Sequence, residues 1–401
     1  MSFWRKVLVI MKGTVISQAV FILSVPIITS LYNPSDYGSY VSLISYALIL
    51  HPMFTLGLDK AILIKTNLER REFFGTVLTL SFILFFFFLF LITLLYFYFD
   101  INYNLFFESI SVLSISLCLS LISMISFLII SESKFELESN LRVTSSVLIS
   151  SFQVLLYYIS PSQIGLILSD IISKVLVFSK FSFKLGLSIN SFRTFKFRIV
   201  RENLKFCTYG LLSTIINLMS VNAPYILVGH IYGASESAIF FMAMKLGSLP
   251  IALIGSGIGK VYSSEIADKK NGRQFYVDTI KKLAAISLFI PLAFYIGKWI
   301  APAFFGDEWN EIGEYLLILS PLVMGQLISG PIMMTFSIYR KQEIELALNV
   351  IRIILVMASF CLLEVVFNQF RFVLMSYSFL MLLVYLVFIF FSYKIVPTDD
   401  V

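Results

Sequence analysis

RREFFGTVLTLSFILFFFFLFLITLLYFYFD, Arg70 to Asp100, is the most apolar part of this chain and points to its class. After Arg70, Arg71 and Glu72 no charge appears until Asp100. A helix crosses ~30 Å of hydrocarbon in roughly 20 apolar residues, so a segment of this length and composition fits a bilayer rather than a soluble core. The same pattern recurs on both sides of it. Twelve apolar runs fall at about residues 7–31, 38–58, 73–98, 105–131, 140–160, 163–183, 206–231, 236–260, 283–305, 313–338, 345–366 and 372–394. Hydrophobic residues make up 58% of the 401 and charged residues 13%, whereas soluble domains average about 45–50% and about 25%. The expected fold is an all-α polytopic membrane protein with twelve transmembrane helices.

The basic residues set the orientation. Arg5, Lys6 and Lys12 precede or open run 1, and Lys60, Lys65, Arg70 and Arg71 follow run 2. Lys134 and Arg142 follow run 4, and Lys180, Lys184, Arg193, Lys196, Arg198, Arg201 and Lys205 surround the gap after run 6. Lys260, Lys269, Lys270, Arg273, Lys281 and Lys282 follow run 8, Arg340 and Lys341 follow run 10, and Lys394 closes run 12. The opposite gaps hold Lys298 and Arg371 alone. Basic loops stay in the cytoplasm, which places both termini there. The net charge of +6 follows from this topology: the cations sit beside anionic lipid headgroups, and no nucleic-acid partner is required.

Run 1 is followed by no small-residue cleavage site, so no removable signal peptide is expected. Cys118, Cys207 and Cys361 all fall within runs, without CxxC or Cys/His spacing, and read as helix-packing residues with no metal or other cofactor. The aromatic stretch Phe85 to Phe88, with Phe90, reads as a lipid-facing surface.

Pro26, Pro52 and Gly57 recur as Pro224, Pro250 and Gly255, each displaced by 198 residues. Runs 1 and 2 therefore have counterparts in runs 7 and 8, and the long basic gap from Lys184 to Lys205 lies where two six-helix halves would join. The expected lobes are residues 1–190 and 191–401. Six is an even number, so the halves enter the membrane in the same direction as parallel repeats. Two similar lobes around a central cavity suit alternating access, which makes a transporter the leading class. The four prolines interrupt helix hydrogen bonding and either bend during transport or fix kinks for packing.

Other chemistries find little support. Gly255 to Lys260 superficially resembles a phosphate loop, but Ile254 and Val261 stand where Gly and Ser or Thr are needed, and no strand precedes it. Small residues permitting close helix approach explain it better. His51 and His230 are the two histidines, and neither belongs to a Ser/His/Asp set or to a pair at helical spacing. His51 reads as a hydrogen-bonded packing residue, with a proton site as its competitor. All external gaps are short, which disfavours membrane enzymes of polysaccharide assembly carrying a large extracytoplasmic catalytic loop.

The sharpest functional signal is the set of cations inside runs. Each costs about 2.5–3.5 kcal/mol at mid-membrane on insertion scales, so it usually faces a water-filled cavity or a partner. Lys245 lies ~13 Å along run 8 at 1.5 Å per residue, near the midplane, where it cannot easily snorkel. Lys174 has Asp170 one turn before it, at the spacing of an i,i+4 ion pair. Arg352 lies within snorkelling reach of the cytoplasmic end of run 11. Lys12 and the Asp59-Lys60 pair open or close runs expected to line the cavity, with interfacial anchoring as the competing role. Cations outnumber buried carboxylates among these positions, and the balance favours an anionic substrate.

Four motifs carry a family resemblance. Pro26 to Gly38, PIITSLYNPSDYG, resembles the P-I-L-T-R-L-Y-S-P-E-D-F-G segment of the Wzx-type polysaccharide flippases. Gly57 to Ile62 resembles their segment after the second helix, Phe305-Gly-Asp-Glu-Trp309 their F-G-x-x-W motif, and the likeness extends from Tyr232-Gly233 to Pro250. The chain departs at Ser30, where the family often has Arg, so no cation is implied at that end of run 1. The resemblance implies the multidrug/oligosaccharidyl-lipid/polysaccharide (MOP) exporter superfamily, with two six-helix lobes and alternating access in the bacterial inner membrane. The implied cargo is an undecaprenyl-diphosphate-linked oligosaccharide, an O-antigen or capsule repeat unit, with other polysaccharide-assembly proteins as further partners. Lys12, Lys60, Lys245 and Arg352 are then the candidates for meeting the diphosphate, and Asp59, or Asp170 with Lys174, for coupling an ion. A multidrug/cation antiporter of the same superfamily is the alternative within transport.

Overall fold

The computed structural model describes residues 3–64, 67–100, 102–187, 195–204, 206–255, 258–259, 262, 266, 272–339, 341–367 and 369–397. Of the residues used to read the topology, Lys65, Arg193, Lys205, Lys260, Lys269, Lys270 and Arg340 lie outside this set, as do Ser256, Gly257 and Val261 of the glycine-rich stretch. Among the described residues the chain is helical throughout, with no strand. That is the outcome lipid imposes: hydrocarbon offers no partner to a peptide group, so each segment satisfies its own backbone.

Among the described residues eight helices are long and apolar enough to cross a membrane, or nine if the bent pair Asp307–Ile318 and Ser320–Phe336 is one span. Three further helices, Pro34–Thr55, Phe135–Tyr157 and Gln163–Lys184, are 22 or 23 residues long and coincide with the more polar predicted runs. The protein is thus a multi-pass membrane protein. The sequence predicts one continuous run across the bent pair, and the 55° bend has a local cause. Pro321 sits at the start of the second segment, where it supplies no N–H to the turn before it.

A second interruption ends the helix Pro34–Thr55. Leu56 and Gly57 take left-handed φ values of 49° and 70°, and the chain continues as a 3-10 turn over Leu58–Ile64. Glycine suits this position because it carries no Cβ, and a Cβ there would meet the Phe206 carbonyl oxygen at 3.0 Å. The helix Ala234–Gly247, the expected counterpart of Pro34–Thr55, ends shortly before Pro250, and a π-helical turn follows over Ile251–Gly255. The repeated prolines Pro52 and Pro250 therefore mark interrupted helices in both halves of the sequence, although Gly255 lacks the left-handed turn seen at Gly57.

The chain forms two compact units. One comprises Met1–Gln18, Asn33–Gly38 and Ala223–Val401; the other comprises Ala19–Tyr32 and Ser39–Asn222. In the second, helix Tyr103–Ser131 packs against Asn67–Phe99 and Gln163–Lys184, and Phe135–Tyr157 packs along Gln163–Lys184. Its core includes Phe54, Phe74, Leu117, Met124, Ile125 and Phe181. In the first, helix Phe370–Ile395 packs against Ser320–Ile332 and Gln342–Phe367. There Gly325 lets the two backbones approach, since a Cβ would stand 3.0 Å from the Tyr385 ring.

The aromatic stretch of Asn67–Phe99 divides between two faces. Phe86, Phe87 and Phe90 are exposed, as a lipid-facing surface requires, whereas Phe85 and Phe88 turn inward onto Phe54 at centroid distances of 6.5 and 6.2 Å. A helix rotates about 100° per residue, so a continuous run of aromatics cannot share one face. Gly259 packs on Pro331, with only 3.2 Å available to a Cβ, in keeping with close helix approach near that end of the glycine-rich stretch. Cys118 is buried and Cys207 half-buried, as packing residues are, whereas Cys361 is exposed.

Candidate functional site

At the interrupted end of Pro34–Thr55, Asp59 is buried and accepts a hydrogen bond from Ser123 Oγ at 2.6 Å. The adjacent Lys60 is exposed and donates to Thr214 Oγ1 at 2.7 Å. One residue of the 3-10 turn thus faces inward and the next outward. His51 sits within electrostatic reach of both, its Nδ1 2.8 Å from the Leu48 carbonyl oxygen. Ser120 Oγ donates to the His51 carbonyl at 2.7 Å. The break therefore gathers His51, Asp59, Lys60 and two serine hydroxyls at one place.

A second polar centre lies within the same compact unit. Asp170 is fully buried and forms the i,i+4 ion pair with Lys174. Tyr40 OH donates to the same carboxylate oxygen, Oδ1, at 3.3 Å, while Oδ2 has no hydrogen-bond partner among the described residues. Cys118 lies close enough to feel both charges. A buried carboxylate matched by an adjacent ammonium is a stable arrangement only while both partners remain.

The other cations are in the unit containing Ala223–Val401. Lys12 is exposed on the first helix. Arg352 is 5% exposed and stays inside, with its guanidinium against Tyr385 and the carboxylate of Glu345 nearby, rather than reaching for the end of its helix. It shares its helix face with Asn349, Val356, Ser359 and Phe360, all buried, so the packed side of Gln342–Phe367 leaves an arginine no outward route.

Lys245 is different from all of these. Its side chain is exposed, although it lies within an apolar helix long enough to cross a membrane. Its ammonium lies 5.2 Å from the centre of the Phe241 ring, and no carboxylate stands within ion-pair range among the described residues. The neighbouring Phe240, Phe241, Met242 and Ala243 are buried, which fixes the helix and hence the direction of the lysine. An exposed ammonium with no carboxylate ion pair among the described residues keeps its charge free to meet an anion.

The structure thus joins Asp59 with Lys60 along the chain and Asp170 with Lys174 as a pair. Lys12, Lys245 and Arg352 stand apart, with Arg352 drawn to Tyr385 and Lys245 to Phe241. Sequence reasoning missed Tyr40 as the third member of the Asp170 centre and Tyr385 beside Arg352, because both come from distant helices. It also missed a network in which Arg371 bridges Glu311 at 2.7 Å and Glu314 at 3.2 Å, while Tyr315 OH meets Glu236 at 2.5 Å and Glu311 at 3.0 Å. Acidic and basic residues near predicted external helix ends were the available signal.

Residues 27–314 match the model of a family described as polysaccharide biosynthesis protein. No curated protein matches the chain. Among solved structures, an inward-facing multidrug resistance MATE family transporter of the MOP superfamily aligns with a TM-score of 0.65 at 16% identity, over 94% of this chain and 93% of that one. A MOP superfamily transporter from Pyrococcus furiosus, described as having a binding pocket of reverse polarity, gives 0.64 at 17% identity over 96% and 94%. A MATE transporter of Vibrio cholerae gives 0.64 at 11% identity over 98% and 95%. At these identities the likeness is one of fold.

Proposed function

The chain belongs to the polysaccharide biosynthesis protein family, and from that premise we propose that it is a flippase for undecaprenyl-diphosphate-linked oligosaccharide, moving an O-antigen or capsule repeat unit from the cytoplasmic to the periplasmic leaflet. The observation that carries this reading is Lys245: an exposed ammonium without a carboxylate ion pair among the described residues, within an apolar helical segment long enough to span a membrane. Such a charge is costly in a membrane unless water or an anionic cargo meets it, and a diphosphate supplies the complementary charge. Lys12 in the same compact unit is a further candidate for the anionic headgroup, and Lys60 is one taken by itself, whereas Arg352 is closed in by its packed helix face.

Twelve spans would then form lobes of residues 1–190 and 191–401, with both termini in the cytoplasm of a bacterial inner membrane. The lobes alternate access around the bound headgroup while the prenyl tail stays in lipid. No covalent chemistry and no cofactor is needed. Asp59 beside His51, and Asp170 with Lys174, are the candidates for coupling an ion, the second pair being already charge-balanced without one. Partner proteins of polysaccharide assembly would supply and remove the cargo.

The test is complementation of a strain lacking its own flippase but holding the matching glycan genes, scored by arrival of lipid-linked repeat units at the periplasmic face. Rescue by the parent is expected. Failure of a well-inserted parent would remove the flippase reading, and drug or cation efflux by the same protein would favour the antiporter alternative.

A further inference from the structure

Lys245 owes its direction to the opposite face of its helix. Successive helical residues turn by about 100°, so Glu236 and Gly247 share one face of Ala234–Gly247 while Lys245 points from the other. The shared face packs along Ile312–Ile318, and Phe240 and Ala243, which lie on it between the two ends, are buried.

At the Gly247 end the fit is steric. A Cβ there would stand 3.3 Å from Val323 Cγ2 and 3.7 Å from Leu316 Cδ2, so the helix backbone rests on these side chains.

At the Glu236 end the contact is polar. Tyr315 is 1% exposed, its ring edge to face with Phe370 at 5.4 Å. Its hydroxyl oxygen lies 2.5 Å from Glu236 Oε2 and 3.0 Å from Glu311 Oε2. A phenol carries one proton, and an ionised carboxylate only accepts. Two ionised carboxylates around this hydroxyl would leave one contact without a hydrogen between its oxygens. A second proton is required, and the charges nearby place it on Glu236. Glu311 is ion-paired with Arg371 at 2.7 Å, whereas Glu236 has no ion pair among the described residues. Among those residues the groups acting on Glu236 are Tyr315, Glu311 and Arg371, the last shared with Glu314. The hydrogens then run one way: the Glu236 carboxyl donates to the Tyr315 oxygen, Tyr315 donates to Glu311, and Arg371 donates to Glu311. Every donor has an acceptor, and the chain joins Ala234–Gly247, Ile312–Ile318 and Phe370–Ile395 within one compact unit.

We propose that Tyr315 is a positioning residue for Lys245, acting through a protonated Glu236. The proposal rests on the reading of Lys245 as the group that meets the anionic headgroup. A helix pinned on one face at Glu236 and at Gly247 cannot roll about its axis, so the ammonium on the other face keeps one direction. Glu236 lies ~13 Å from Lys245 along the helix at 1.5 Å per residue, so Tyr315 acts through the helix rather than on the anion.

The test reads the Lys245 amine in the purified full chain, below the unfolding temperature of every variant. Acylation of Lys245 by a succinimidyl ester is followed by mass spectrometry, with and without inorganic pyrophosphate. In the parent, pyrophosphate should slow the acylation. Tyr315→Phe and Glu236→Ala should lower the rate without pyrophosphate several-fold and raise the half-protecting pyrophosphate concentration several-fold. Glu236→Gln, whose amide N–H replaces the carboxyl O–H as donor, should match the parent in both. A purely structural role would lower the unfolding midpoint and leave both readings unchanged. Parental values in Tyr315→Phe and Glu236→Ala would overturn the proposal, and so would Glu236→Gln behaving like Glu236→Ala. Should Tyr315→Phe and Glu236→Ala fail to fold, Gly247→Ala, which presses on the other pinning point, should change both readings in the same sense. Parental values there would equally overturn the proposal. A parent that pyrophosphate does not protect would remove Lys245 as the anion site, and the rate without pyrophosphate would still decide whether Tyr315 positions it.

Discussion

Environment separates side chains of the same type. Lys60 is hydrogen-bonded to Thr214, Lys174 is neutralised by Asp170, and Lys245 is exposed with an aromatic ring beside it. Lys245→Ala should therefore lower translocation by roughly 10–100-fold, the equivalent of the ~1.5–3 kcal/mol of a hydrogen bond to a charged group, while Lys245→Arg retains part of the activity. Quantifying periplasmic repeat units at matched protein levels checks this. Asp170→Ala should instead act on stability, because it leaves the Lys174 ammonium without its counter-ion, at a cost of about 3–5 kcal/mol. Thermal unfolding in detergent should show a large loss for the single variant and substantial recovery in Asp170→Ala/Lys174→Met. The Asp170–Lys174 pair was legible in the sequence because i,i+4 spacing is a local property. Tyr40 was not legible, because its meeting with Asp170 depends on how two distant helices pack. Arg352 shows the same limit: its position along the helix allowed snorkelling, and only the packed face around Asn349 and Phe360 shows that it stays inside.

Among the helices, hydropathy located the elements, while their interruptions depended on backbone geometry. The run from Arg70 to Asp100 forms the uninterrupted helix Asn67–Phe99, as its composition requires. The predicted run 313–338 is bent at Pro321, because an apolar window averages over the missing N–H that breaks the helix. The left-handed turn at Leu56-Gly57 was marked only by its glycine. Gly57→Ala should destabilise the protein by more than ~1 kcal/mol, since alanine is strained at positive φ and its Cβ would press on the Phe206 carbonyl. A lowered unfolding midpoint with reduced translocation is expected; a midpoint equal to that of the parent would show that the turn relaxes without cost.

For the molecule as a whole, the charge pattern and the family agree on a multi-pass protein. The alternation of basic gaps predicts sidedness that can be read directly: Ser133→Cys should label only from the cytoplasmic side, and Asp307→Cys only from the outside. Both positions are exposed. Labelling of both from one side would contradict the topology on which the transport direction depends. If the chain carries a prenyl-diphosphate-linked glycan across the membrane without altering it, purified protein should suffice. Reconstitution in liposomes loaded with fluorescent undecaprenyl-diphosphate-linked oligosaccharide, following the fraction reached by an impermeant quencher, addresses this without other cellular components. The parent should equilibrate the lipid between leaflets, Lys245→Ala should do so far more slowly, and the recovered glycan should be chemically unchanged. Equal rates in protein-free liposomes and in liposomes holding correctly inserted parent protein would show that this chain is not the flippase.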